Sequence, residues 1–263
     1  MNKIASLIKP LMPILSATYG IALIYVTALP VAGNNPTVVG EMLTWPITLA
    51  GIAMTLYLVQ YVEPKMFPAA EQFSLKLPPV SVILGLLLTA PLWLVAEGYI
   101  VYGMTSLAQP VKMEPLTYTT EEMLEDLLSS IHAVLLAPVL EELCFRQMAI
   151  SPFRRRGAKI VVCLVMAFLF GMFHVRNFPG AFISALVYGF VFIWSRNIWF
   201  SVILHTGRNL AATLLAVYCW LKLGDIQMAK IPVIILPDIK VVFASLFLAI
   251  AGVLLLKKNN SKP

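Results

Sequence analysis

The sequence predicts an all-α polytopic membrane bundle of about eight transmembrane helices, and three observations predict it. Of 263 residues, 60% are hydrophobic and only 12% are charged. Mean hydropathy is +0.86. Apolar runs close to spanning length recur along the whole chain. A water-soluble domain carries about 25% charged residues, and half that fraction leaves too little polar side chain to cover a wet surface. Two soluble domains of about 150 residues each, the division that length alone suggests, are therefore excluded. So is intrinsic disorder, which needs low hydrophobicity with high net charge.

A span needs about 20 mostly apolar residues, and eight stretches qualify: 10–32, 44–62, 79–103, 123–150, 160–178, 180–195, 197–221 and 237–256. The first follows Lys3 and Lys9 in the manner of a signal peptide. Its apolar run exceeds the roughly 7–15 residues of such a core, so it reads as a retained span. The fourth has a polar start and the sixth is short, which leaves seven spans as the alternative count. Loops 63–78 and 104–122 contain Pro and mixed charge, as interfacial helices or gates would. Without an internal repeat or a separate soluble region, residues 1–263 read as a single integral membrane domain.

Orientation follows from the cations, which favour the cytosolic side. With both termini cytosolic, twelve fall inside: Lys3, Lys9, Lys65, Lys76, Arg154, Arg155, Arg156, Lys159, Arg196, Lys257, Lys258 and Lys262. Lys112, Arg176 and Lys230 fall outside, and Arg146, Arg208, Lys222 and Lys240 lie in or at the ends of spans. The net charge of +6 does not indicate nucleic acid, because the basic residues sit between apolar runs and form no aromatic-interleaved stripe. Arg154-Arg155-Arg156 is a topology anchor that meets anionic lipid headgroups. Trp194 and Trp199 suit an interfacial belt. Cys144, Cys163 and Cys219 lie in apolar segments at unrelated spacings, which fits neither a disulfide framework nor a zinc finger.

Ionisable groups inside a span are costly and face a cavity or a partner, so each is a functional candidate. Three clusters emerge: Glu141-Glu142-x-x-x-Arg146, Phe170-x-x-x-His174 and His205-x-x-x-Asn209. Glu142 and Arg146 are four apart with the acid N-terminal, the favoured order for an ion pair on one helical face. Glu141 projects about 100° away from that pair. A carboxylate withdrawn from water beside neutral imidazoles suits a general base; a structural charge network is the competing reading for both glutamates. His205 and Asn209 share one helical face and supply two donors, the inventory for holding an oxyanion, or for bonding between spans.

Depth links the clusters. At about 1.5 Å per residue, Glu141 stands roughly 20 Å from the basic loop at Arg154, and His174 about 21 Å from that loop's end at Ile160. His205 and Asn209 stand roughly 14 and 20 Å beyond Arg196. Four polar groups on three helices thus arrive at similar depth in a hydrocarbon core about 30 Å thick. Glu97 either lines the same cavity or approaches an interface, and His132 reads as structural.

These motifs resemble those of the CAAX-processing and bacteriocin-processing (CPBP, or Abi) intramembrane proteases, relatives of the Ras-converting CAAX endopeptidase. Glu141-Glu142-Leu143-Cys144-Phe145-Arg146 matches EExxxR, Phe170 to His174 matches FxxxH, and His205 to Asn209 matches HxxxN/D, in family order within a core of residues 123–220. The resemblance implies a hydrolase that cuts a peptide bond inside the membrane, in an intramembrane cavity open to the cytosol. It implies that Glu141 and His174 activate water, that His205 and Asn209 stabilise the oxyanion, and that Glu142 and Arg146 hold the site's shape. The family is commonly classed as metalloprotease, and Glu141, His174 and His205 form a zinc-type donor set. No HExxH occurs in the chain, and a metal-free glutamate mechanism, needing no cofactor, uses the same residues. Partners are then membrane lipids and a peptide substrate, either a CAAX-type prenylated tail or a leader or signalling peptide. The compact chain, with no ER-retention signal, points to a prokaryotic plasma membrane. A non-proteolytic scaffold, such as an immunity or regulatory protein that kept the fold, has no need of polar groups converging at one depth. A transporter would show two related halves.

Overall fold

The computed structural model describes residues 7–28, 38–67, 73–106, 120–174, 177–223 and 239–260. Lys112, Arg176 and Lys230, the cations expected outside, fall beyond the described residues, as do Lys3 and Lys262 of the tails. Every expected span contains a helix. A 3₁₀ turn at Lys9–Leu11 leads into α1 (Met12–Ala28), followed by α2 (Val38–Tyr57). α2 continues through a π turn at Leu58–Val62 into a short helical turn, Glu63–Met66. Then come α3 (Val80–Ser106), α4 (Thr120–Leu135), α5 (Ala137–Glu142) with a π turn at Leu143–Met148, and α6 (Arg156–Phe173). α7 (Phe178–Ser195), α8 (Ile198–Leu223) and α9 (Ile239–Asn260) complete the order. Among the described residues, six stretches are long and apolar enough to cross a membrane: Met42–Met66, Val80–Val101, Leu127–Met148, Arg156–Phe173, Phe178–Ser195 and Ile198–Tyr218. Two shorter apolar helices, Lys9–Ile24 and Lys240–Leu254, occupy the first and last expected spans. A polytopic helical bundle fits.

The expected span 123–150 is present as one apolar stretch, Leu127–Met148, but not as one uninterrupted α-helix. α4 ends at Leu135, and α5 restarts with Pro138 in its first turn. Proline lacks the N–H that would bond the carbonyl four residues back, and its ring crowds that carbonyl. Here the regular α-helix is interrupted at Leu136, two residues before Pro138, whereas α2 and α3 continue through Pro46 and Pro91. The sixth span, expected to be short, is a full 18-residue helix. It ends on Arg196, whose φ of 55° is left-handed. Asn197 then starts α8, its Oδ1 accepting the Trp199 N–H at 3.0 Å as a helix cap does. Asn197 also donates from Nδ2 to the Lys76 carbonyl at 2.9 Å, and an isolated parallel bridge joins it to Ser74.

The chain forms two compact units, Met1–Lys76 with Ile131–Val202, and Leu77–Ser130 with Ile203–Pro263. The first packs α1, α2, α5, α6 and α7 around a core that includes Leu143, Cys144, Phe145, Met166, Phe170 and Phe192. Small residues set its helix spacing: a methyl added at Gly189 on α7 would collide with Cys163 on α6. Tyr19 on α1 bonds Thr55 on α2 at 3.1 Å. The second unit packs α9 along α3, where Gly85 and Gly252 face each other so closely that a methyl on Gly85 would stand 2.9 Å from the Gly252 carbonyl. Such small-residue contacts are how helices approach in lipid, where apolar burial between them gains little.

Burial is inverted relative to a water-soluble protein. Glu97, Thr48, Thr55, Glu142, Arg146 and His205 are buried, while Trp194 (79% exposed) and Phe247 (73%) stand outside. Lipid-facing surfaces are apolar, and polar groups turn inward to partners. Cys144 and Cys163 are buried free thiols; the Cys219 side chain lies outside those described. Lys159, expected in the basic loop, is instead buried in the first turns of α6 with its ammonium 4.7 Å from the Phe73 ring.

Candidate active site

In the first unit, the Glu142–Arg146 pair forms as its spacing requires. Arg146 Nη1 lies 3.1 Å from Glu142 Oε1, and both side chains are almost entirely buried. Arg146 Nη2 donates to the Ala185 carbonyl of α7 at 3.3 Å. Its guanidinium is also flanked by two rings, Phe170 at 5.0 Å and Tyr188 at 5.7 Å. A charge taken out of water is tolerable only with such compensation. The local helix is a π turn across Leu143–Met148, a form that recurs at functional sites. Nothing in the residue spacing announces it.

Phe170 links two motifs. Its ring stacks on His174 with centroids 4.4 Å apart, and meets Phe145 edge-on at 5.4 Å. The same ring therefore touches the arginine of the first motif and the histidine of the second. His174 was expected inside span 160–178, yet it terminates α6, its backbone leaving the helical region at φ −97° and ψ 51°. It also stands 18 residues from Arg156, where α6 begins, about 27 Å along the axis instead of 21 Å. Its Nδ1 lies 2.9 Å from the Phe170 carbonyl. A carbonyl can only accept, so Nδ1 carries the hydrogen, and in the neutral ring Nε2 is then the acceptor. Glu141, on the last turn of α5, is half-buried.

The second unit holds His205, Arg208 and Asn209 on α8, and Glu97 on α3. His205 is buried and Asn209 half-buried. Arg208 grips Glu97 in a two-pronged bond, Nε to Oε2 at 3.0 Å and Nη2 to Oε1 at 2.6 Å. Its third nitrogen, Nη1, donates to Asn209 Oδ1 at 3.4 Å. Gly207 permits this approach: a methyl there would stand 2.8 Å from the Ala90 Cβ on α3. Glu97 and Arg208, 111 positions apart, had no shared signal in the sequence beyond each being an intramembrane charge. His132 bonds Thr48 Oγ1 through Nε2 at 2.8 Å. That hydroxyl donates to the Thr44 carbonyl at 2.8 Å, so the imidazole is the donor. Among the described residues, no three His, Cys, Asp or Glu side chains cluster as metal ligands would.

The fold and these inward-facing charges define an integral membrane protein of the helical class. Comparison with known families then narrows it. Residues 123–211 match the family described as Type II CAAX prenyl endopeptidase Rce1-like, and all three motifs lie inside that stretch, in agreement with the resemblance. The match assigns the segment to the CAAX-protease family, and at the level of the family it means a membrane protease, a hydrolase of peptide bonds. No curated protein and no solved structure matches the chain.

Proposed function

We propose that this protein is an intramembrane endopeptidase with its catalytic core in residues 123–220. Glu141 and His174 bind a water, and the Glu141 carboxylate takes its proton as the oxygen attacks the substrate carbonyl carbon. The tetrahedral oxyanion receives hydrogen bonds from the His205 ring N–H and the Asn209 amide, which carry the charge that develops there. As the C–N bond breaks, Glu141 returns the proton to the departing amine. Glu142 and Arg146 keep the surrounding helices in shape. Substrates are CAAX-type prenylated tails or leader or signalling peptides, presented from the cytosolic side on which both termini lie.

The observation that carries this reading is the ordered set of three motifs inside the family match, with His174 held in one tautomer by the Phe170 carbonyl. Replacing Glu141 by Gln removes the base and keeps the volume. We expect cleavage to vanish while expression and melting temperature stay at wild-type values. Wild-type turnover by the purified Glu141→Gln protein would overturn the assignment. Comparative proteomics of membrane fractions from the wild type and Glu141→Gln names the substrate, as the peptides released only by the wild type. Elemental analysis tests the metal-free mechanism, which one zinc per chain, lost together with activity on chelation, would replace by zinc on Glu141, His174 and His205.

A further inference from the structure

We infer that Glu97 and Arg208 are positioning residues that orient the Asn209 amide for oxyanion binding. The inference rests on the reading of Asn209 given above. An asparagine amide presents an acceptor at one end and two donors at the other. Only the donor end can stabilise an oxyanion, and a rotation of 180° about its last side-chain bond would exchange them. Arg208 has no acceptor, so a guanidinium nitrogen 3.4 Å from Oδ1 selects one orientation and directs Nδ2 away from the cation.

Arg208 and Asn209 are sequence neighbours, about 100° apart on α8, so the arginine needs an anchor to hold that position. Glu97 is the anchor. It is 3% exposed, it sits on a different helix, and it takes two of the three guanidinium nitrogens at 2.6 and 3.0 Å. All three nitrogens are thereby engaged, Nε and Nη2 by the carboxylate and Nη1 by the amide. A lysine in place of Arg208 would keep the charge opposite Glu97 but could not reproduce this fork. The arrangement also accounts for two intramembrane charges that the three motifs leave over, in a region where an unneeded charge is costly.

A double-mutant cycle on the full-length protein in lipid nanodiscs tests this, with cleavage of an internally quenched peptide bearing a farnesylated cysteine and a three-residue tail. Asn209→Ala should lower kcat about 100-fold, as loss of one oxyanion donor does. Arg208→Lys should lower kcat about tenfold by misplacing the amide, with KM within twofold of the wild type. In the Asn209→Ala background, Arg208→Lys should change kcat by less than twofold, because the group it acts through is gone. Glu97→Gln, which leaves Arg208 in place, should show the same loss of effect and serves if Arg208→Lys does not fold. If either substitution lowers kcat by the same factor with and without Asn209, the positioning role is overturned and the oxyanion reading stands. If Asn209→Ala cleaves at the wild-type rate, the oxyanion reading itself fails.

Discussion

Among the described residues, each unit of this protein contains an inward-facing arginine–carboxylate pair, and the two pairs are built on opposite principles. Glu142–Arg146 closes within one stretch of helix, is almost wholly withdrawn from solvent, and meets aromatic rings and a carbonyl. Glu97–Arg208 joins two helices through a fork, and the arginine side chain keeps 20% of its surface exposed. The first pair is a packing element, since every direction around the guanidinium is occupied by protein that would have to rearrange. The second is an aiming element, since its third nitrogen reaches a residue with chemistry to perform. Local spacing delivers the first. Only helix packing delivers the second.

Matched substitutions separate the two. The largest effect is expected for Glu142→Gln, which strands the Arg146 charge among Phe170, Tyr188 and the Ala185 carbonyl. Breaking a buried pair from one side costs about 3–5 kcal/mol, and a thermal melt in detergent should show the loss. Unchanged melting together with lost cleavage would instead exchange the roles of Glu141 and Glu142. Glu97→Gln should cost less, about 2 kcal/mol, in the range of a charged hydrogen bond, because the partly exposed Arg208 can be solvated. Equal losses from the two glutamates in denaturant titrations would erase the distinction between the two pairs.

Gly207→Ala probes the second pair without touching its charges. The added methyl presses on the Ala90 Cβ at 2.8 Å, and the cost should be about 1 kcal/mol, the low end for overpacking. Cleavage should fall further than stability does, because α8 is pushed away from the helix that carries Glu97. The smallest change is expected for Thr48→Val, which removes the acceptor of His132. Polar bonds between membrane helices average about 0.6 kcal/mol, so the melt should move only slightly and cleavage should not move at all. A large loss of cleavage would place His132 in the chemistry.

The spans were legible because the apolar runs are long and separated by polar or charged segments, and helix ends within them differ from expectation where a cap or a proline decided them. Asn197 closes the corner before α8 with its own side chain, and beside Pro138 the α-helix is interrupted inside the single span Leu127–Met148. The site was legible motif by motif. Glu142 and Arg146 share a helical face, so a period of 3.6 residues predicts their contact. Phe170 was legible only as the first letter of a motif; that its ring spans Arg146 and His174 depends on how α6 lies against the π turn. His174 was placed within a helix because its neighbours are apolar, whereas its backbone ends the helix.

Hydropathy, charge placement and four-residue spacing by themselves determine that this chain is a membrane bundle with three intramembrane polar motifs, which resemble those of CAAX-type proteases. Those properties are local, being set by solvent preference and by the pitch of a helix. Tertiary structure alone decides that Glu97 meets Arg208 across 111 positions, that Arg208 turns to Asn209, and that one phenyl ring serves two motifs. Such contacts depend on how closely two helices approach, and glycines such as Gly207 set that distance through the side chain they lack.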